Sequence, residues 1–232
     1  NDVLEARKGG AIRVELCTAI SSGGVTPSIG LVRSAVKAAD GGLLVNVLIR
    51  PREGGFCYDE SEIRTMLEDI QACRSAGADG VVIGALTPDG DIDMEACRRM
   101  MDAASGMNVT FHRAFDVCRE PEKALEQIIE LGCDHLLTSG QRPSALEGSA
   151  LIADLVRQAA GRITIMPGSG VNPGNIAEIE SLTSASEFHS TARDLVPDSS
   201  LRHVPELGFD EVSKVPGMVL RTSSEVVRSL VD

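Results

Sequence analysis

Short β-rich runs alternate with amphipathic helical runs along this 232-residue chain, and the alternation restricts the fold more than any other feature. In one helical run, Ile63, Met66, Leu67 and Ile70 recur at the spacing of a helix with one buried face. A helix after every strand predicts parallel strands built as βα units. The β-rich runs begin 24–37 residues apart: Ile12–Cys17, Leu43–Arg50, Gly80–Gly84, Asn108–Arg113, His135–Ser139, Ile163–Gly168 and Glu187–Ser190.

The order of these runs indicates a barrel with one strand lacking at the front. Asp2–Lys8 reads as a helix that stops at Gly9-Gly10, and such a helix should follow a strand. We therefore expect an α/β fold, a TIM-type (β/α)8 barrel whose first strand is absent from this sequence. No change in composition marks a linker, so residues 1–232 are predicted to form a single barrel domain. Residues 196–221 are predicted as an irregular loop before a last helix at Ser223–Val231.

Composition excludes several classes of partner. The net charge is −12 and aromatic residues make up 3%, which disfavours binding to nucleic acid and to anionic membranes. No apolar run approaches the roughly 20 residues of a membrane-spanning helix. The six cysteines are scattered singly, without the paired spacing of a zinc site. Since the sequence shows no signal peptide, we expect a reduced, cytoplasmic protein.

The polar residues of the strands are predicted to point into the barrel. One face of a barrel strand packs on helices and must be apolar, so the alternate residues face inward. In the first run Ile12, Val14 and Leu16 share the apolar face, which turns Arg13, Glu15 and Cys17 inward. The same pattern in the other runs turns a further polar set inward: Asn46, Arg50, Thr110, His112, Thr164, Glu187 and His189.

Two explanations of this polar interior are open at this point. In one, Arg13 and Arg50 balance Glu15 and Glu187 in a purely structural ion network. In the other, the polar groups belong to a functional site. Cys17, Arg50, His112 and His189 fall at strand C-termini, the face where barrel enzymes carry their sites, which favours the second.

The loops after the strands add candidates for anion binding. Glycines in Gly168-Ser169-Gly170 would let backbone N–H groups approach an anion, just before a helix that Asn172 is predicted to cap. The alternative is that these glycines only form tight turns. Arginine side chains can clamp a carboxylate or phosphate with two hydrogen bonds. The predicted anion-binding residues are Arg50, Arg52, Ser139, Gly168, Ser169, Gly170 and His189.

Nine segments between Asp2 and about Ala192 form a recognisable series: Arg13–Cys17, Gly23–Ser28, Arg50–Arg52, Ala78–Gly80, Gly84–Gly90, Thr110–Asp116, Leu137–Gly140, Gly168–Val171 and Glu187–His189. In order and spacing they resemble the CutC family of copper homeostasis proteins. The resemblance implies a cytoplasmic TIM barrel, often a homo-oligomer, that is linked by name to copper. It also implies an N-terminal strand with a cysteine in relatives. Where copper(I) binding is proposed for the family, that cysteine acts beside the one matching Cys17, so only Cys17 carries over.

Three functional hypotheses follow. In the first, Cys17 binds copper(I), a metal that prefers thiolate and thioether ligands, with Met166, His112 and His189 nearby. In the second, the chain is an enzyme acting on a small anionic metabolite, a phosphate or a carboxylate. In the third, it is a non-catalytic scaffold. For the enzyme, the candidate catalytic residues are Glu15, His112 and Asp116, and the charge clamp is Arg50 with Arg52.

Overall fold

A curled sheet of six parallel strands forms the centre of the molecule, and its strand order follows the chain from β1 to β6. The computed structural model describes residues 2–204, 206 and 215–232. The strands are β1 Arg13–Leu16, β2 Leu44–Leu48, β3 Gly80–Ile83, β4 Asn108–Phe111, β5 His135–Thr138, β6 Thr164–Pro167, β7 Arg193–Pro197 and β8 Met218–Thr222. The helices are α1 Asp2–Gly9, α2 Ile29–Ala39, α3 Glu60–Ser75, α4 Met94–Ala103, α5 Pro121–Leu131, α6 Ser149–Ala159, α7 Ile176–Thr183 and α8 Ser224–Val231.

The alternation of β1 to β6 with helices confirms the α/β fold of TIM type that the sequence predicts. Strands β2 to β6 bury their apolar faces under the helices, as Val45, Val47 and Ile49 do around β2. Burying an aliphatic side chain of this size contributes about 1.5–3 kcal/mol. Neighbouring strands of the sheet are parallel and hydrogen-bonded, and Glu15 on β1, for example, lies beside Asn46 on β2. All strand C-termini therefore meet at one end, which we call the mouth.

Local signals in the sequence fix the helix ends. Asp59 accepts hydrogen bonds from the backbone N–H groups of Ser61 and Glu62, while the Glu62 carboxylate accepts from the Asp59 N–H, which is a complete capping box. Gly9 ends α1 against α8, and a Cβ on Gly9 would lie 2.4 Å from Cβ of Val227. Glycine at this position lets the first and last helices pack closely.

One predicted strand does not join the sheet. Glu187–Ser190 lies beside β6, but among the described residues its one backbone hydrogen bond to that strand is the His189 N–H donating to the Pro167 carbonyl at 2.9 Å. One hydrogen bond is too few for a ladder, so the strand prediction for this segment is wrong. The segment is instead attached to β1 by its side chains, as shown below.

The predicted irregular loop at residues 196–221 also needs correction. β7 and β8 form an antiparallel hairpin in which Arg193 pairs with Thr222 and Pro197 with Met218. The part of this loop at 205 and 207–214 lies outside the described residues. The last helix begins at Ser224, with the Ser223 hydroxyl accepting from the Val226 N–H, and so confirms the predicted C-terminal helix.

Candidate functional site

The inward-facing residues of β1 meet the segment after α7 inside the barrel. Nη2 of Arg13 donates to Oε2 of Glu187 at 2.6 Å and lies 3.3 Å from Sδ of Met166 on β6. Nη1 of Arg13 lies 3.3 Å from Nε2 of His135. The inward parity read from the sequence therefore holds on β1. Part of the interior is the structural ion network of the first explanation: Arg13 pairs with Glu187, whereas Arg50 donates to loop carbonyls.

Two residues farther toward the mouth, Glu15 pairs with His189. Nδ1 of His189 lies 3.2 Å from Oε2 of Glu15, whose side chain is 10% exposed. Burial by itself would raise the pKa of Glu15, but the charge and hydrogen bond of His189, with Arg13 nearby, hold that pKa below its usual value. Burial likewise opposes the charge on His189, yet Glu15 raises the pKa of His189 above 6.5. Each group therefore stabilises the charged form of the other.

His112, at the end of β4, is held in the opposite state. Its Nδ1 accepts the Ala114 N–H at 3.1 Å, so the neutral ring carries its proton on Nε2. Burial and the positive charge of Arg50 lower the pKa of His112 to about 4. The ring lies 5.1 Å from the ring of Phe56 and directly against Gly84, where a Cβ would come within 2.6 Å of Nδ1. His112 is thus a neutral proton donor at physiological pH.

Buried polar atoms without partners surround this pair of histidines. Nε2 of His112, Oε1 of Glu15 and Oγ1 of Thr110 have no hydrogen-bond partner among the described residues. Glu15 and His112 are close enough for each charge to influence the pKa of the other group. Buried polar groups are nearly always satisfied in native proteins, by protein, water or ligand. Nε2 of His112 and Oε1 of Glu15 at the mouth, with Oγ1 of Thr110 below them on β4, mark a place for a polar ligand.

Arg50 and Arg52 reach the mouth loops but use their donors there. Nη1 of Arg50 donates to the carbonyls of Ser22 and Gly24, and its Nη2 to the carbonyl of Gly54 at 2.6 Å. Arg52 pairs with Glu62 at the start of α3 and donates to carbonyls of its own loop. Both guanidinium groups order the loops, and Arg50 retains only a buried Nε without a partner among the described residues.

Asp116 holds the β4 and β5 loops together. Its Oδ1 accepts from the Thr138 hydroxyl at 2.6 Å and its Oδ2 from Nε of Arg113 at 2.7 Å. The N–H groups of Ser139 and Gln141 and the Ser139 hydroxyl donate to it as well. Because donors occupy both oxygens, the structure favours a structural role for Asp116 over the predicted catalytic one.

The other predicted anion-binding residues lie on the same face but differ in what they offer. The Ser139 hydroxyl is engaged with Asp116 and with the Arg142 carbonyl. Gly168 donates its N–H to Thr138, and a Cβ there would meet Leu137 at 2.4 Å, so packing explains this glycine. Ser169 and Gly170 have positive φ values of 79° and 73°. The helix after them, α7, begins at Ile176 rather than at the predicted cap, Asn172.

Cys17 lies at the mouth, where Gly24 covers it: a Cβ on Gly24 would be 3.3 Å from Sγ. Burial raises the pKa of the Cys17 thiol, so the thiol form predominates. Among the described residues, no group of three His, Cys, Asp or Glu side chains is placed to hold a metal ion. Sδ of Met166 is engaged by Arg13. The donor set around Cys17 therefore does not fit a closed copper(I) site formed within this part of the chain.

Two cations at the mouth escaped the sequence analysis. Arg193, at the start of β7, lies near enough to Cys17 for its charge to act on the thiol. The charge of Arg113 lowers the pKa of His189. Nη2 of Arg113 donates to the Ser139 hydroxyl at 2.9 Å. The sequence could have predicted Arg113 at the mouth, because it directly follows His112. Arg193 lies beyond the predicted barrel strands, so no sequence pattern placed it there.

Comparisons with known proteins agree with this architecture. The model of the CutC family matches residues 1–194. A CutC family protein of Parabacteroides distasonis is 55% identical over 193 residues, which cover 83% of this chain and 79% of the relative. The solved structure of the copper homeostasis protein CutC from Streptococcus agalactiae has a TM-score of 0.74 at 37% identity, covering 76% of this chain and 87% of that one.

More distant solved structures share the fold alone. The aldolase QR15 is 18% identical with a TM-score of 0.59, over 80% of each chain. None of the helices in the described residues combines the length and apolarity needed to cross a membrane.

Proposed function

This chain belongs to the CutC family, and we propose that it is a TIM-barrel enzyme that transfers a proton to or from a small anionic metabolite at the mouth. The observation that carries the proposal is the buried Glu15–His189 pair beside the unpartnered Nε2 of His112. Two histidines with pKa values driven apart by their surroundings are a recurrent acid–base arrangement.

Each group has a defined role in this proposal. Glu15 orients His189 through Nδ1 and stabilises its protonated form, leaving the other ring nitrogen, Nε2, to exchange a proton with substrate. His189 is 30% exposed, so a ligand at the mouth can reach it. Neutral His112 donates its Nε2–H to the substrate oxygen on which negative charge develops.

The positions of the described lysines favour acid–base chemistry over one alternative at this site. The described lysines, Lys8, Lys37 and Lys123, all lie on helices, and none of them is at the end of a strand. An imine with a carbonyl substrate needs an amine at the site. Within the described residues the mouth therefore supports acid–base chemistry and not amine-based covalent catalysis.

Deuterium exchange tests the proposal even while the product is unidentified. The protein is incubated in D2O with a panel of three- to six-carbon hydroxy acids, keto acids and sugar phosphates, and loss of C–H signals is followed by NMR. We expect exchange on at least one compound, reduced about 100-fold or more in His189→Asn and in His112→Asn. His203→Asn, on an exposed residue of the tail, is the matched control. Exchange that survives in both site variants, or no exchange on any compound, would contradict the proposal.

Copper(I) binding at the mouth is the second candidate. It is supported by the description of the Streptococcus agalactiae relative as a copper homeostasis protein and by the position of Cys17. If Cys17 is a ligand, Cys17→Ser weakens copper(I) affinity at least about tenfold in a competition titration under reducing conditions. Cys57→Ser, at an exposed thiol, is the control. Unchanged affinity in Cys17→Ser would remove this site.

We also propose a cytoplasmic location and a homo-oligomeric state. All six cysteines are free in the structure, as expected in a reducing compartment. Fractionation of cells expressing the chain and light scattering of the purified protein test the two statements separately.

A further inference from the structure

We infer that the substrate is a hydroxylated small anion: one of its hydroxyl groups bridges Nε2 of His112 and Oε1 of Glu15, and its carboxylate or phosphate binds Arg193 and Arg113. This inference rests on the proposed function of the same site and names the class of molecule that the site takes.

The hydroxyl follows from the two unpartnered atoms. Nε2 of His112 can only donate, because Nδ1 already accepts the Ala114 N–H. Oε1 of the ionised Glu15 can only accept. Leaving either buried atom without a partner destabilises the protein. A hydroxyl accepts from one and donates to the other, whereas a carbonyl satisfies only His112 and an ammonium satisfies only Glu15.

A second polar contact lies on the same strand as His112. Thr110 faces inward two residues before His112, and its buried Oγ1 also has no partner among the described residues. A threonine hydroxyl both donates and accepts, so it suits another hydroxyl of the ligand. The interior below the mouth is thus lined for a molecule with more than one hydroxyl group.

The binding site for the anionic group of the ligand is inferred from arginines whose side chains keep free donors. Arg193 begins β7 four residues after His189, and its side chain makes no hydrogen bond or ion pair within the described residues. Arg113 uses Nε and Nη2 on Asp116 and Ser139, while Nη1 has no partner in the same described part of the chain. Arg50 and Arg52, predicted as the clamp, are occupied by loop carbonyls and Glu62. A carboxylate or phosphate beside His189 would therefore bind to Arg193 and Arg113.

Matched pairs of ligands separate the two halves of the inference. Glycerate is compared with propionate in the carboxylate arm, and glycerol 3-phosphate with propyl phosphate in the phosphate arm, by isothermal titration calorimetry. We expect the hydroxylated member of at least one pair to bind at least about tenfold more tightly, because its hydroxyl completes the His112 and Glu15 hydrogen bonds. The arm with the larger preference identifies the anionic group.

Variants then assign the effect to residues. Arg193→Ala should weaken both members of the pair at least about tenfold, while Arg33→Ala, on the exposed face of α2, should not. His112→Asn should abolish the preference for the hydroxylated member. If that variant does not fold, 15N NMR of the four histidines in the wild-type protein supplies the same information, since glycerate should shift the Nε2 signal of His112 and propionate should not.

Several outcomes would overturn the inference. Equal affinity within both pairs removes the hydroxyl bridge, and unchanged binding in Arg193→Ala removes the anion site. No binding in either arm removes the substrate class. Deuterium exchange on the wider panel without any hydroxyl preference would leave the proposed function standing and this inference wrong. A hydroxyl preference without deuterium exchange would leave this inference standing and contradict the proposed function.

Discussion

At the scale of single residues, the mouth contains two histidines whose surroundings shift their pKa values in opposite directions. His189 has a carboxylate partner in Glu15 and favours the protonated ring. His112 has a backbone N–H on Nδ1 and the charge of Arg50 nearby, and stays neutral. This difference is a property of the neighbours and not of the histidines, and it should be visible in the dependence of stability on pH.

The burial of neutral His112 predicts a loss of stability in mild acid. The folded protein keeps His112 unprotonated down to about pH 4, whereas the unfolded chain protonates it near its ordinary pKa of 6.5. Between these values the unfolded state binds more protons, so the free energy of unfolding falls as pH decreases from 6.5 to 4, by up to about 3 kcal/mol from this group. Urea unfolding of the wild type and His112→Gln at intervals of pH measures the effect. The two proteins should differ in slope over this window, and parallel curves would show that His112 does not titrate as described.

Gly84 sets the position of the His112 ring. Its backbone has no positive φ, so alanine introduces no strain of that kind. A Cβ there would lie 2.6 Å from the His112 ring and 3.2 Å from Phe111. Gly84→Ala should therefore displace the ring, change its NMR signals and cost about 1–3 kcal/mol of stability. Gly55→Ala, where nothing lies within 4 Å of the added carbon, is the matched control and should have little effect. Unchanged His112 signals in Gly84→Ala would contradict this role.

At the scale of secondary-structure elements, the site depends on loops that are tied to each other. Asp116 lies in the helical turn after β4 and accepts donors from the loop after β5. Arg50, after β2, donates to carbonyls in the loop after β1. These links place charged groups of neighbouring βα units at fixed positions around the mouth.

Removing the Asp116 carboxylate should loosen the β4 and β5 loops. Asp116→Ala leaves buried donors such as the Ser139 N–H without an acceptor, so we expect a loss of about 2 kcal/mol or more in the free energy of unfolding. Asp154→Ala, on exposed α6 with only Arg157 as a partner among the described residues, should change stability by less than about 1 kcal/mol. Urea unfolding of both variants at neutral pH measures the difference. Equal stabilities would show that the loops are held by other contacts.

At the scale of the whole molecule, two ion pairs connect the ends of the curled sheet. Arg13–Glu187 and Glu15–His189 both join β1 to the segment beside β6. The second pair belongs to the proposed site, so closure of the barrel interior and assembly of the site are parts of one event.

A double-mutant cycle measures this connection. Arg13→Met and Glu187→Gln should each destabilise the protein, and the coupling free energy between them should be about 1–3 kcal/mol, because the two side chains are in direct contact. The exposed pair Arg98 and Glu130 provides the matched cycle, with an expected coupling below about 1 kcal/mol. Similar coupling in both cycles would show that the Arg13–Glu187 pair does not close the barrel.

The sequence predicted the alternating strands and helices because periodicity is a local property. The spacing of Ile63, Met66 and Ile70 predicts α3, and the alternation along β1 predicts that Arg13, Glu15 and Cys17 point inward. The Glu187–Ser190 segment and the β7–β8 hairpin were misjudged, since pairing depends on which neighbour a strand finds. The strand potential of a segment does not specify its partner.

The sequence by itself also predicted most of the residues that reach the mouth, but not Arg113 and Arg193, and only the tertiary structure decided what each one does there. Glu187 meets Arg13 from 174 positions away because the sheet curls, and no local pattern encodes that distance. The curl likewise gives Glu15 a histidine partner. Donors saturate Asp116 and carbonyls occupy Arg50, while the Arg193 side chain is left free within the described part of the chain. The chemistry of a polar group depends on its neighbours, and those neighbours come from distant parts of the chain.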